Sequence, residues 1–318
     1  MIKNRFSKII IWFFLFLGLV YGAGRIYYAA TAGFSVSEIS STISYNKKFD
    51  INVLTVDSQE KIRTILTQNF SYLGKGCQSY VFASDDGKYV IKFLKYKHFT
   101  PQKWLELFSF IPSVENYRLK KIELKEKKLD DIFTSWKIAY EQLQKETGIL
   151  FVHLNKSKNL NQKIAITDKL GFAFSINADD YEFLIQKRAK PFIKTLEEQM
   201  RGGKLSSAKK MIDQLFAMIV AEYEAGVGDN DHALMQNTGV LDERPIHVDV
   251  GQFVQKESFK DKAVQDQELF NKTYKFKIWL NKRYPELAAH LYEKLYSFMG
   301  SKVNELSPRL KSVSCEEL

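Results

Sequence analysis

The chain has 318 residues, 45% of them hydrophobic and 14% aromatic, with 16 glycines and 6 prolines. That excludes a collagen-like, low-complexity or largely disordered chain and leaves ample length for a core, as one large domain or two lobes. Lys and Arg number 47 against 37 acids, a formal charge of +10, which suits a phosphate-bearing ligand or an anionic membrane surface and is also ordinary for a soluble domain. Two cysteines, Cys77 and Cys315, exclude a disulfide scaffold and a zinc site of several thiolates; the five histidines lack metal-ligand spacing, and no nucleic-acid motif is visible.

Ile9 to Ala23 reads IIIWFFLFLGLVYGA, fifteen residues without a charge. A bilayer core takes about 20 apolar residues in a helix. Ile9 to Tyr28 reaches that length if Arg25 snorkels to the interface, where Tyr27 and Tyr28 also fit. A cleaved signal peptide is the alternative, with Lys3, Arg5 and Lys8 as its basic start and a late Ala30-Thr31-Ala32 as its cleavage pattern. Residues 1–32 are therefore an anchor or a signal peptide, and we read an uncleaved single-pass anchor. Three basic residues precede the run and Arg25 follows it, so the positive-inside rule leaves the N-terminus in the cytoplasm and the folded part across the membrane. Secretion into a host cell is a further option for its location.

Residues 33–68 are polar and mixed, and we expect a juxtamembrane linker with partial order. From 69 to 190 the pattern predicts strands with one helix. Tyr72, Val81 and Phe82 lie in strand-like stretches, Asp85-Asp86-Gly87-Lys88 is a hairpin turn, and Tyr89 to Tyr96 is a strand. Residues 101–128 are strongly charged and helical toward their end. Leu129, Ile132, Phe133, Trp136, Tyr140 and Leu143 then recur at helical spacing, up to Gly148. ILFVHL, KIAITDKL, FAFSI and EFLIQKRA read as strands. Residues 191–318 turn helical: Ser206 to Glu224 is amphipathic through Met211, Leu215, Met218, Ile219 and Tyr223, and 263–283 and 286–303 are two more helices. Strands and a helix first, then mostly helices, imply an α+β fold of two lobes with a cleft between them.

The first hairpin holds Gly74-Lys75-Gly76-Cys77-Gln78-Ser79, and glycines let backbone N–H groups approach phosphates. The turn opens a hairpin rather than a helix, which argues against Rossmann and Walker sites. Sixteen residues after Gly76, Lys92 lies on a strand. After the amphipathic helix come Gly228-Asp229-Asn230-Asp231, Asn237 and then His247-Val248-Asp249-Val250-Gly251. This order resembles the protein-kinase and aminoglycoside-phosphotransferase superfamily across residues 70–255, and the whole chain resembles kinase-like proteins of chlamydia-related intracellular bacteria.

The resemblance implies a two-lobed kinase-like fold: an antiparallel-sheet N-lobe with one helix (69–190) and a minimal helical C-lobe (191–318), behind the transmembrane helix. It implies ATP and Mg²⁺ as cofactors, and a protein or small-molecule phosphate acceptor. Gly74, Gly76, Ser79 and Lys92 would hold the nucleotide, Asp231 would be the catalytic-loop carboxylate, and Asn237 and Asp249 the metal ligands. Glu141, with Glu146 as runner-up, would pair with Lys92. His247 would be structural.

Departures from the pattern stand beside these expectations. Asp229 and Asn230 replace the usual His and Arg, and Asn237 lies six residues past Asp231 where five are usual, so Asp229 is an alternative functional carboxylate. Ser79 replaces the third glycine, Val250 the Phe of D-F-G, and no A-P-E follows. An inactive pseudokinase, serving as a nucleotide-binding or interaction module, is the second reading; a structural membrane protein whose Asp, Asn and Gly merely form turns is the third.

Overall fold

The structure is a computed structural model that describes residues 2–52, 55–100 and 104–310. Its first element, α1 (Ile2–Thr31), carries the apolar run. From Lys8 to Thr31 this helix is long and apolar enough to cross a membrane and stands unburied, properties it shares with a signal sequence.

The segment expected as a linker is instead folded onto a sheet. Phe34, Ile39 and Phe49 are buried. Helix α2 (Val56–Leu66), capped by the Thr55 hydroxyl accepting from the Ser58 N–H at 3.3 Å, buries Ile62, Ile65 and Leu66. These apolar residues are thinly spread among polar ones, so local composition hid a surface whose partners lie far along the chain.

Seven strands form one sheet: β1 (Asn69–Lys75), β2 (Ser79–Ser84), β3 (Tyr89–Leu94), β4 (Ile149–His153), β5 (Lys163–Thr167), β6 (Ala173–Asn177) and β7 (Phe183–Lys187). Their order is β4-β7-β3-β2-β1-β5-β6. Neighbours are antiparallel except β1 and β5, which run parallel. In β2 the buried residues alternate (Tyr80, Phe82, Ser84), as a period of two dictates. The central β3 is buried nearly throughout because both faces are covered. On one face Leu94, Val152 and Leu184 meet Phe133 and Trp136; on the other Ile91, Phe93 and Phe183 meet Phe34, Ile62 and Leu66.

After β3 come α3 (Trp104–Leu107) and α4 (Pro112–Gln142). From Pro112 onward the charged stretch and the apolar stretch that follows it are one 31-residue helix, with Pro112 in its first turn where no intrahelical N–H is lost. Its second half packs on the sheet through Ile132, Phe133, Trp136 and Ala139. The short α5 (Gln144–Thr147) ends at Gly148, whose φ of +65° is the left-handed cap that favours glycine.

The remainder is mostly helical: β8 (Lys190–Pro191), α6 (Phe192–Arg201), α7 (Leu205–Glu224), β9 (Val227–Asp229), α8 (Leu234–Asn237), β10 (Thr238–Leu241), β11 (Arg244–His247), β12 (Phe253–Gln255), α9 (Lys262–Arg283) and α10 (Pro285–Met299). Met211, Leu215, Ile219 and Tyr223 of α7 turn inward at the expected spacing and meet Leu269, Phe276 and Leu291. Two small sheets, β11-β10-β8 and β12-β9, lie where the chain passes back toward the large one. The fold is thus mixed α+β, a sheet followed by many helices.

Candidate functional site

The glycine-rich turn joins β1 to β2. Gly76 N–H donates to the Ser79 carbonyl at 3.0 Å, and Lys75 pairs with Tyr80 across the strands. Neither Gly74 nor Gly76 has a positive φ, and a Cβ built on either meets nothing within 4 Å. Neither backbone strain nor crowding demands glycine there; what the glycines leave is open space beside backbone N–H groups. Lys95, just past β3, donates its ammonium to the Gly76 carbonyl and lies over the Tyr80 ring at 5.0 Å. Burial, and then Lys75, lowers Lys95 to about 8, with Glu38 opposing.

Lys92 shares the β3 face of Val90 and Leu94 and is buried. Its ammonium donates to the carbonyl of Val248, the residue before Asp249. Burial pushes Lys92 below the ordinary lysine range, and the Asp249 charge holds it up. Asp249 is reached by solvent on one side yet crowded by protein on its others. That crowding raises its carboxyl; Lys92 pulls it down, and Asp229 and Asp231 add repulsion that raises it further. The glycine-rich turn faces this segment, since a Cβ at Gly251 would overlap the Gln78 side-chain oxygen.

Asp231 accepts the Ala233 N–H through Oδ1 and the Asn237 Nδ2–H through Oδ2, both at 2.9 Å. The single turn of α8 absorbs the extra residue between them and returns Asn237 to Asp231. Asn237 also offers its backbone carbonyl to the Val248 N–H at 2.8 Å, which ties this loop to the strand leading to Asp249. Asp229 differs in role: its Oδ1 accepts the Asp231 N–H at 3.0 Å and its Oδ2 binds Lys272, both partners of that ion pair being buried. Lys272 donates as well to the Asp231 carbonyl at 2.6 Å. The structure thus brings together Lys92, Asp231, Asn237 and Asp249, with the turn that carries Gly74, Gly76 and Ser79 reaching the same segment through Gln78 at Gly251.

Glu141 does not join them. It lies exposed on α4, 3.8 Å from Lys137. Ser135 holds the helix face that meets the Asp249 segment: its Oγ donates to the Val250 carbonyl and accepts the Phe253 N–H, each at 2.6 Å. Six residues at about 100° each set Glu141 roughly 120° around the helix from Ser135. Glu146 lies on α5, beyond the end of α4. Among the described residues, Asp249 is the acid whose charge acts on Lys92.

Supporting residues that sequence reasoning missed are Gln78, Lys95, Ser135, Gln186 and Lys272. Gln78 stood within the glycine motif; the others carried no local signal. Gln186 of β7 donates Nε2–H to the Thr147 carbonyl at 2.6 Å and to the His247 carbonyl at 2.9 Å. His247 is buried against Glu222, Nε2 to Oε1 at 2.7 Å, with the Phe253 ring edge-on. A hollow of about 1120 Å³ lies elsewhere, between residues 40–49 and α4.

The oxygen donors suit a hard divalent cation. Asn237 uses its Nδ2 on Asp231, leaving its side-chain oxygen as a donor to a metal, and the repulsion of Asp249 by Asp229 and Asp231 favours a positive ion at Asp249. Among the described residues no three His, Cys, Asp or Glu side chains converge as a complete cage; Mg²⁺ takes one or two carboxylates and completes its shell with phosphate and water.

No protein-family model matches the chain, and no curated protein matches it. Solved structures give low superpositions. Two structures of the bifunctional kinase-methyltransferase WbdD align at TM-scores of 0.35 and 0.33, with 12% and 14% identity over 72% and 70% of this chain. Rv3197 of Mycobacterium tuberculosis, solved as its erythromycin complex, aligns at 0.32 with 12% identity over 81% of this chain. The chain spans 45% and 44% of the two WbdD chains and 60% of Rv3197.

Proposed function

We propose that the chain is a membrane-anchored, ATP- and Mg²⁺-dependent phosphotransferase with the two-lobed kinase-like architecture, acting on a protein or small-molecule hydroxyl. The observation that carries this reading is the meeting of Lys92 with the backbone next to Asp249, beneath an open glycine-rich turn and beside Asp231 and Asn237. Phosphoryl transfer asks little more of a protein than positioning and charge. Lys92 would exchange the Val248 carbonyl for a phosphate oxygen. The N–H groups around Gly74, Gly76 and Ser79 would line the triphosphate. Asp249 and Asn237 would hold Mg²⁺, whose charge would offset that of the phosphates. Asp231 would orient the acceptor hydroxyl and take its proton.

A second reading, an inactive nucleotide-binding module, is favoured by the absence, among the described residues, of a helix carboxylate on Lys92 and by the closed Asp231–Asn237 hydrogen bond. The purified full chain, supplied with Mg²⁺ and ATP labelled at the γ-phosphate, separates the two. Release or transfer of label that Asp231→Asn abolishes supports the enzyme. Equal rates for wild type and Asp231→Asn sink it, and stabilisation by MgATP without turnover then selects the binding module.

A further inference from the structure

α1 enters the fold without slack. Thr31 is 2% exposed, Ala32 9% and Phe34 2%, so the chain joins the core at the last residue of the helix. Three side chains clamp it there. Lys169 donates to the Ala29 carbonyl at 3.3 Å. Lys75, in the glycine-rich turn, donates to the Ala32 carbonyl at 2.7 Å and lies over the Tyr28 ring at 4.8 Å. The Tyr80 hydroxyl donates to the Gly33 carbonyl at 2.5 Å.

These clamps fix a depth. A hydrocarbon core of about 30 Å takes about 20 helical residues at 1.5 Å each. Counted from Ile9, that length ends at Tyr28, so Ala29 and the lysine bound to it lie at the level of the lipid headgroups. β1 and β5 are parallel neighbours, so their C-terminal ends, Leu73 to Lys75 and Asp168 to Phe172, emerge at the same sheet edge as this clamp.

The β5–β6 turn at that edge is built to present apolar side chains. Asp168 Oδ1 accepts the N–H groups of both Leu170 and Phe172 at 2.9 Å, around Gly171 with its φ of +90°. Leu170 is left 48% exposed and Phe172 63%, with Leu73 exposed on β1 nearby. Apolar tips flanked by lysine stems match an interface where acyl chains begin and anionic headgroups end.

We propose that this sheet edge rests on the headgroup layer of the bilayer that α1 enters, with Leu170 and Phe172 dipping into it and Lys75 and Lys169 facing anionic lipid. The inference depends on reading α1 as a membrane span, and it places the glycine-rich turn at the membrane surface.

The test is photocrosslinking of the full chain in phosphatidylcholine–phosphatidylserine vesicles. Benzoylphenylalanine is placed singly at Phe14, Phe172 or Tyr296, all exposed, and each variant's melting temperature reports its fold. Lipid adducts at Phe14 and Phe172, severalfold above those at Tyr296, are the expected result. Adducts at Phe14 with Phe172 no better than Tyr296 would overturn the docked edge and leave the anchor standing. No adducts at Phe14 would overturn the anchor, and the docked edge with it.

Discussion

Lys272 gives the sharpest test of how the acidic loop is held. Its side chain is 2% exposed and that of its partner Asp229 4%. Lys272→Met removes the charge and keeps most of the apolar stem. Asp229 then retains one hydrogen bond, from the Asp231 N–H at 3.0 Å, and repels Asp249 with no counter-charge beside it. Breaking one side of a buried pair costs about 3–5 kcal/mol, whereas removing both charges costs much less. At about 2–4 °C per kcal/mol for a domain of this size, Lys272→Met should melt roughly 6–20 °C below wild type. Asp229→Asn should fall by a similar amount, since Lys272 then keeps only the Asp231 carbonyl. The double variant should be no worse than the weaker single one. Urea and thermal unfolding of the full chain in detergent, followed by tryptophan fluorescence, measures all four corners of the cycle. A Lys272→Met loss below about 1 kcal/mol, or a double variant equal to the sum of the singles, would refute a buried pair that acts as a unit.

Asp249→Asn should have effects of opposite sign. The folded-state carboxyl is raised above its ordinary value of 3.8, so wild-type stability falls as pH rises from 3.8 through the raised value. The variant should therefore resist urea better at neutral pH while losing stabilisation by MgATP; loss of both properties would contradict the assignment. Lys95 titrates near 8 instead of 10.5 in the folded state, so the fold sheds this proton first and gains stability as pH climbs from about 8 toward 10.5. Lys95→Met should flatten that part of the unfolding profile, and an unchanged slope would show that the lysine is not held as described. Gly228→Ala drives a methyl into the Phe259 ring, itself stacked on Tyr223, at a cost of about 1–3 kcal/mol. Gly76→Ala meets no atom within 4 Å; it should shift stability by less than about 0.5 kcal/mol yet weaken MgATP binding in calorimetry, and indifference of both would remove the phosphate role from the turn.

Much of the architecture was legible because it is written locally. The Asp-Gly turn before β3, the strand runs of β4 to β7 and the inward face of α7 follow from turn chemistry and from periods of 2 and 3.6. The order of the acidic motifs was legible too. The rest depends on pairings at long range. Phe34 and Ile62 look like stray apolar residues until β3 lies beneath them. Glu141 was chosen for its charge and its place on a helix, whereas a helix face is decided by packing, which gave the position to Ser135. Lys272 reads as one more surface lysine on α9, and only the arrival of Asp229 from another element explains its burial.

The ties around Asp249 have a mechanical consequence. Gln186 grips the carbonyl of His247, Lys92 that of Val248, and Ser135 both the Val250 carbonyl and the Phe253 N–H. The stretch from 247 to 253 is thereby riveted to β7, β3 and α4 and must travel with them as one rigid piece. Any shearing of the helical portion against the sheet would leave the distance between ammonium and carboxylate unchanged. The tip of the glycine-rich hairpin is tied elsewhere, to the end of α1 through Lys75 and to the end of β3 through Lys95, so its displacement would be felt at the root of the N-terminal helix.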